Sequence, residues 1–438
     1  MNETTIRKVL AWEALDSRGK PTVGCEVLLS GGARGQAVVP SGASTGRHEA
    51  RELRDGGSRY GGNGVQSAVA NVHGILAEAV HGLDAADQVD VDATLRQVDG
   101  TADLGRLGAN AVLAVSIASA VAAAKGQHRP LYEAAADPGA VPLLPLPMVN
   151  ILSGGAHAGR SIDVQDFLAV PLSARNFSEA IEYCARVRQG TAEVLSEMNL
   201  SVSLVADEGG LGPALPTNKA GLQAVVAGIA RAGLRPGDDV GIAIDVAASQ
   251  FLAHDGHYVL SAEGGRRLAP AELVEELADW CSQYPIVSLE DALAEDDWDG
   301  WKTATVRLGL QQLLGDDLFA TNIERLERGI EEQVANAVLV KPNQIGTLSD
   351  ARTVVRRAQG AGYNTVISAR SGETEDTWLA DLAVGWRTGQ IKVGSTMRSE
   401  RTAKWNRLLR IEAELGDAAQ YAGSEAINVH RPSSASIA

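Results

Sequence analysis

Apolar positions along the chain fall into two regimes. Up to about residue 140, two alternating runs near 4–14 and 21–30 have the period of strands, and helix-periodic sequence follows as far as Lys125. Together they predict a small α+β domain. Between its strands and helices lies a glycine-rich loop, "VPSGASTGRHEARELRD", from Val39 to Asp55. The longest apolar stretch, Ala111 to Ala124, has 14 residues. It is too short to cross a bilayer and reads as a buried helix. The segment "ADPGAVPLLPLP" carries four prolines and marks a junction. The division expected is therefore 1–138 and 139–438.

Beyond the junction, strand-length apolar runs alternate with helical stretches, and run after run ends on a charge. "SVSLVADEGG" ends at Asp207 and Glu208, "VGIAIDVAAS" at Asp245, "YPIVSLEDAL" at Glu290 and Asp291, and "LQQLLGDDLF" at Asp316 and Asp317. "NAVLVKPNQIG" ends at Lys341, "NTVISARSG" at Arg370 and "GQIKVGS" at Lys392. Repeated strand–helix units predict an α/β barrel of the TIM type, about 250 residues or more, with its active site at the C-terminal ends of the strands. A barrel without chemistry has no reason to place ionisable groups on that face so regularly.

Composition narrows the partners. The 438 residues carry a formal net charge of −16, which repels phosphodiester backbones and anionic membranes. Nucleic acid and membrane are excluded as expected partners. An anionic substrate requires local cations or a metal to reverse the field. Three cysteines, Cys25, Cys184 and Cys281, lie far apart and form no zinc or disulfide pattern. With no signal-peptide apolar region in "MNETTIRKVL", a cytoplasmic setting is expected.

Asp245, Glu290 and Asp316 end three consecutive runs. Adjacent carboxylates repel one another unless a cation sits between them, and an all-oxygen set favours Mg²⁺. Lys341 and Lys392 end later runs, and a buried lysine beside a cation has a depressed pKa and serves as a base. Glu208 is the candidate matching acid. Together these groups suit removal of a proton next to a carboxylate: a metal stabilises the enolate, a lysine takes the proton and an acid assists the leaving group. The loop with Gly42, Ser44 and Gly46 lacks the Walker pattern and suits a lid. His157 sits in a second glycine-flanked loop, "SGGAHAGRS".

These motifs, with "ALDSRGKPTVGCEV", "LGANAVLAVSIASA", "DEGGLGP", "KPNQIGTLSD", "SGETEDTWLADLAVG" and "RSERTAKWNRLLRIEAELG" in this order, resemble the enolase family nearly end to end. The resemblance implies an N-terminal α+β domain followed by an eight-stranded barrel, a homodimer or homo-octamer, two Mg²⁺ per site and a small phosphorylated anion as substrate. It implies Asp245, Glu290 and Asp316 as ligands of one ion and Ser44 as a lid ligand of the second. Lys341 becomes the base, Glu208 the acid, Lys392 a contact to the substrate carboxylate, and Arg370 with Ser371 the phosphate clamp. Asp166 stands near the leaving group, and His157, from its loop, is a further candidate substrate-binding residue. Three positions depart from the family pattern: Ala369 where it has histidine, Asp166 where it has glutamate, and Ser153 where it has asparagine. The implied reaction is interconversion of 2-phosphoglycerate and phosphoenolpyruvate. The departures keep an alternative open, a relative of specialised metabolism such as carboxyphosphonoenolpyruvate synthase in phosphinate biosynthesis.

Overall fold

The computed structural model describes residues 2–42 and 46–428. The lid serine Ser44 lies outside the described residues. The N-terminal region opens with an antiparallel sheet of β1 (Ile6–Leu15), β2 (Pro21–Leu29) and β3 (Arg34–Val38). The first two match the alternating runs, whereas β3 is too short to stand out by periodicity. Helix α1 (Ala109–Gly126) lies across β2 and β3. Its alanine and serine face allows an unusually close approach. A Cβ on Gly35 in β3 would stand 2.2 Å from the α1 backbone, so only glycine fits. At 18 residues α1 is longer than the apolar stretch suggested, and by length and composition it could cross a membrane. It is 78% buried inside the protein, the place of a core helix.

The second region is a closed eight-stranded barrel. Its strands are β4 (Leu146–Ser153), β5 (Asp166–Val170), β6 (Gly241–Asp245) and β7 (Ile286–Glu290). They continue as β8 (Gln312–Gly315), β9 (Ala337–Val340), β10 (Asn364–Ser368) and β11 (Gly389–Gly394), which closes on β4. β5 runs antiparallel to both β4 and β6, and every other pair is parallel.

This reversal corrects one expectation. The run Ser201–Gly210 is not a barrel strand but a loop, held by an isolated bridge from Val205 to Leu211. Of its apolar side chains only Ala206 is buried and Val202 packs against the core from outside, while Leu204 is 76% exposed. The ladder is already complete with β4 and β5, so no edge remains for a further strand to pair. Glu208 reaches the barrel mouth by another route: its carbonyl accepts from the backbone N–H of Ser395, just past β11, at 2.8 Å.

Candidate active site

Parallel strands deliver their last residues to one rim. Asp245 and Glu290 end β6 and β7 and sit opposite each other in register. Asp316 and Lys341 follow β8 and β9 by one residue, Arg370 follows β10 by two, and Lys392 lies within β11 opposite Ser368. Because β5 is reversed, its first residue, Asp166, pairs with the last residue of β6, Asp245. A strand start therefore arrives at the same mouth as the strand ends. Glu208, His157, Asp245, Asp316, Lys341, Arg370, Ser371 and Lys392 all line one cavity.

Lys392 reaches between two of the acids. Its Nζ lies 2.8 Å from Asp245 Oδ2 and 2.8 and 2.7 Å from the Glu290 oxygens. Lys341 Nζ pairs with Asp316 Oδ2. Each of the three expected carboxylate ligands thus has a lysine partner, and Lys392, expected at a substrate carboxylate, is tied to the acids instead. Two amides absent from the sequence reading complete the set. Gln165 donates to Asp245 at 3.0 Å and Gln344 to Asp316 at 2.9 Å. Gln344 stands three residues beyond Lys341 in "KPNQIG", a spacing that could have flagged it.

The field at the rim still lacks positive charge. Glu290 is pushed well above the usual carboxylate range by burial and by Asp245, with Lys392 only partly offsetting them. Asp317 is raised to about 7 by burial and Asp316. Asp291, Asp316 and Asp317 bring ligand atoms within 4.8 Å of one another. An all-oxygen donor set with surplus negative charge fits a hard divalent cation such as Mg²⁺.

The depressed lysine expected at Lys341 is not found. Burial is the largest influence and lowers its pKa, but the surrounding carboxylates, Asp316 first and then Glu290, together outweigh it and the net shift is upward. Lys341 becomes a base only when the Asp316 charge is engaged elsewhere, as it would be with Asp316 on a cation.

On the Glu208 side of the mouth, Asp166 is fully buried. One of its oxygens meets His157 Nδ1 at 2.8 Å. The other accepts from Ser153 Oγ at 2.7 Å and Asn150 Nδ2 at 2.5 Å. Two of the three departures from the family pattern, Asp166 and Ser153, therefore touch each other. Asp166 stands behind His157 rather than on the cavity wall. His157 Nε2 is 3.9 Å from Glu208 Oε1. Burial opposes charge on the imidazole, but Asp166 and Glu208 outweigh it and lift the His157 pKa to about 9. Burial raises Glu208, yet His157 and the surrounding cations outweigh it, and Glu208 is held below the usual range. Of this pair, His157 carries the proton at neutral pH.

That arrangement has a measurable consequence. A histidine whose folded pKa lies above its unfolded value of about 6.5 stabilises the fold fully below that pH, and the contribution is lost as pH rises through about 9. Thermal unfolding of the wild type between about pH 7 and pH 10 is expected to show a loss of stability that His157→Gln lacks. Parallel pH slopes in the two proteins would mean that the imidazole is neutral.

At the opposite end, Arg370 is clamped before any substrate arrives. Its Nη1 meets Glu49 Oε2 at 2.9 Å and Asn343 Oδ1 at 3.1 Å. Glu49 comes from the glycine-rich loop, whose root is tied down by paired backbone bonds between Ser41 and Gly372. Buried Arg401 donates to the carbonyls of Arg370 at 2.6 Å and Ser371 at 2.5 Å, fixing the backbone of the clamp. Ala369 lines the same cavity, and its N–H donates to the Lys392 carbonyl at 2.9 Å. Its methyl offers no hydrogen bond at that point of an otherwise polar wall. The free volume is only about 40 Å³, roughly one water molecule.

Fold and site define an α/β-barrel enzyme with an acid-lined mouth, flanked by an N-terminal domain. Residues 6–134 match the family model described as the enolase N-terminal domain, and residues 141–430 match that of the enolase C-terminal TIM barrel domain. The chain belongs to the enolase family, and with it to the enolase-superfamily lyases.

Proposed function

We propose that the protein removes the proton α to the carboxylate of a phosphorylated acid and expels hydroxide, interconverting 2-phosphoglycerate and phosphoenolpyruvate. The observation that carries this reading is the placing of Lys341 and Glu208 in one cavity with Asp245, Asp316 and Arg370. Arg370 and Ser371 bind the phosphate, for which the guanidinium fork is suited. Asp245, Glu290 and Asp316 would hold Mg²⁺, which when bound supplies the positive charge that the developing dianion requires. Lys341 accepts the α proton, and the His157–Glu208 pair gives a proton to the departing oxygen. Within that pair the proton rests on His157.

A second reading, carboxyphosphonoenolpyruvate synthase or a similar relative, has its own support. Asp166 is bound by Ser153 and Asn150 away from the cavity, and Ala369 puts only a methyl on the wall beside the clamp. A bulkier phosphonate-bearing substrate would use that space. A misplacement of about 1 Å near the reacting atoms costs on the order of 10²-fold in rate. Dehydration of 2-phosphoglycerate, followed by ultraviolet absorbance, separates the readings. A gain of about that size in an Asp166→Glu, Ala369→His double variant supports the second. High activity in the unmodified protein with no gain supports the first.

A further inference from the structure

A second cavity lies away from the barrel mouth. A cleft of about 360 Å³ opens between the N-terminal helices Gln88–Asp99 and Ala109–Gly126 on one side and the barrel helices Leu348–Gly360 and Trp378–Gly385 on the other. Its volume falls within the range of small-molecule sites. Ala93, Ala120, Ala123, Leu382 and Trp386 give it an apolar wall with little side-chain bulk.

Its rim carries unusual charge for so acidic a chain. Arg352 and Arg356 stand four residues apart on one helix face, where like charges repel. Both donate to the carboxylate of Asp137, Arg352 at 2.7 Å. Two guanidinium groups share the Asp137 carboxylate, so this end of the cleft is positive, while the Asp92 carboxylate lies deeper in the wall. Arg352 is half-buried, and burial with the neighbouring Arg356 holds its pKa below the usual arginine value. The nearby Arg96 is already matched by Asp350 at 2.8 Å. Asp92, deep on the wall, accepts from the Ser349 N–H and from Gln88, both at 2.9 Å. The Gln88 side-chain oxygen Oε1 is buried and finds no donor among the described residues.

We propose that this cleft binds a small organic anion, its apolar body against the alanine wall and Trp386 and its acidic group on Arg352 and Arg356. Such a ligand joins helices of both regions. One of those helices, Leu348–Gly360, begins seven residues after Lys341.

The proposal is tested by titrating the full chain with anilinonaphthalene sulfonate, an apolar body carrying one anionic group, and following fluorescence. The expected result is saturable binding of one probe per chain. Arg352→Gln with Arg356→Gln is expected to weaken it about tenfold or more, the worth of a charge-assisted contact. Ala93→Trp fills the cleft from an exposed helical position and is expected to abolish binding while leaving both arginines in place. The uncharged analogue phenylnaphthylamine is expected to bind at least about tenfold more weakly. Thermal unfolding verifies that each variant is folded. Absence of saturable binding, equal binding of the uncharged analogue, or binding unmoved by either variant overturns the proposal.

Discussion

Asp245→Ala, Glu290→Ala and Asp316→Ala are each expected to lower turnover on the order of 10³-fold or more, and excess chelator is expected to do the same to the wild type. The three carboxylates crowd one rim with two lysines between them, and burial together with the Asp245 charge pushes Glu290 well above the usual carboxylate range. Holding like charges together disfavours the fold. Glu290→Gln removes one charge, keeps the shape and leaves an oxygen for Lys392. In chelator this variant is expected to melt higher than the wild type while remaining inactive, a trade of stability for function. Melting below the wild type would mean that the Lys392 pairing outweighs the repulsion. Full turnover in excess chelator would remove the metal from the proposed site altogether.

The second large effect concerns the proton. Lys341→Ala is expected to stop solvent exchange of the carbon-2 proton of 2-phosphoglycerate, with losses on the order of 10²–10⁴-fold. Glu208→Gln is expected to stop elimination while sparing part of the exchange, because proton removal precedes departure of hydroxide. Exchange is followed by loss of the proton signal in deuterated solvent. An unmodified exchange rate in Lys341→Ala would show that another group is the base. The ion pair with Asp316 makes this a sharp test. A lysine raised by its partner is a poor base until that partner's charge is drawn away.

Much of the site was written in the order of residues. Parallel strands of a barrel deliver their ends to a common rim, so a charge closing each apolar run is enough to place Asp245, Glu290, Asp316, Lys341, Arg370 and Lys392 together. The α+β character of the first region and the burial of the apolar helix followed from local periodicity in the same way. Periodicity does not report strand direction, however. The reversed β5, which carries Asp166 to the rim by its first residue, and the looping of Ser201–Gly210 depend on which edges are free to pair in the closed ladder. Partners across the site were equally hidden. Arg370 meets Glu49 across 321 residues of chain, and Lys392 reaches Asp245 across 147. Ser153 and Asp166, read separately as departures from a family pattern, proved to be joined by a hydrogen bond. Local sequence sets the period and polarity of each element. Which buried charges meet is decided through space, because in a low-dielectric interior each charge settles on whichever partner the closed barrel brings within a few ångströms.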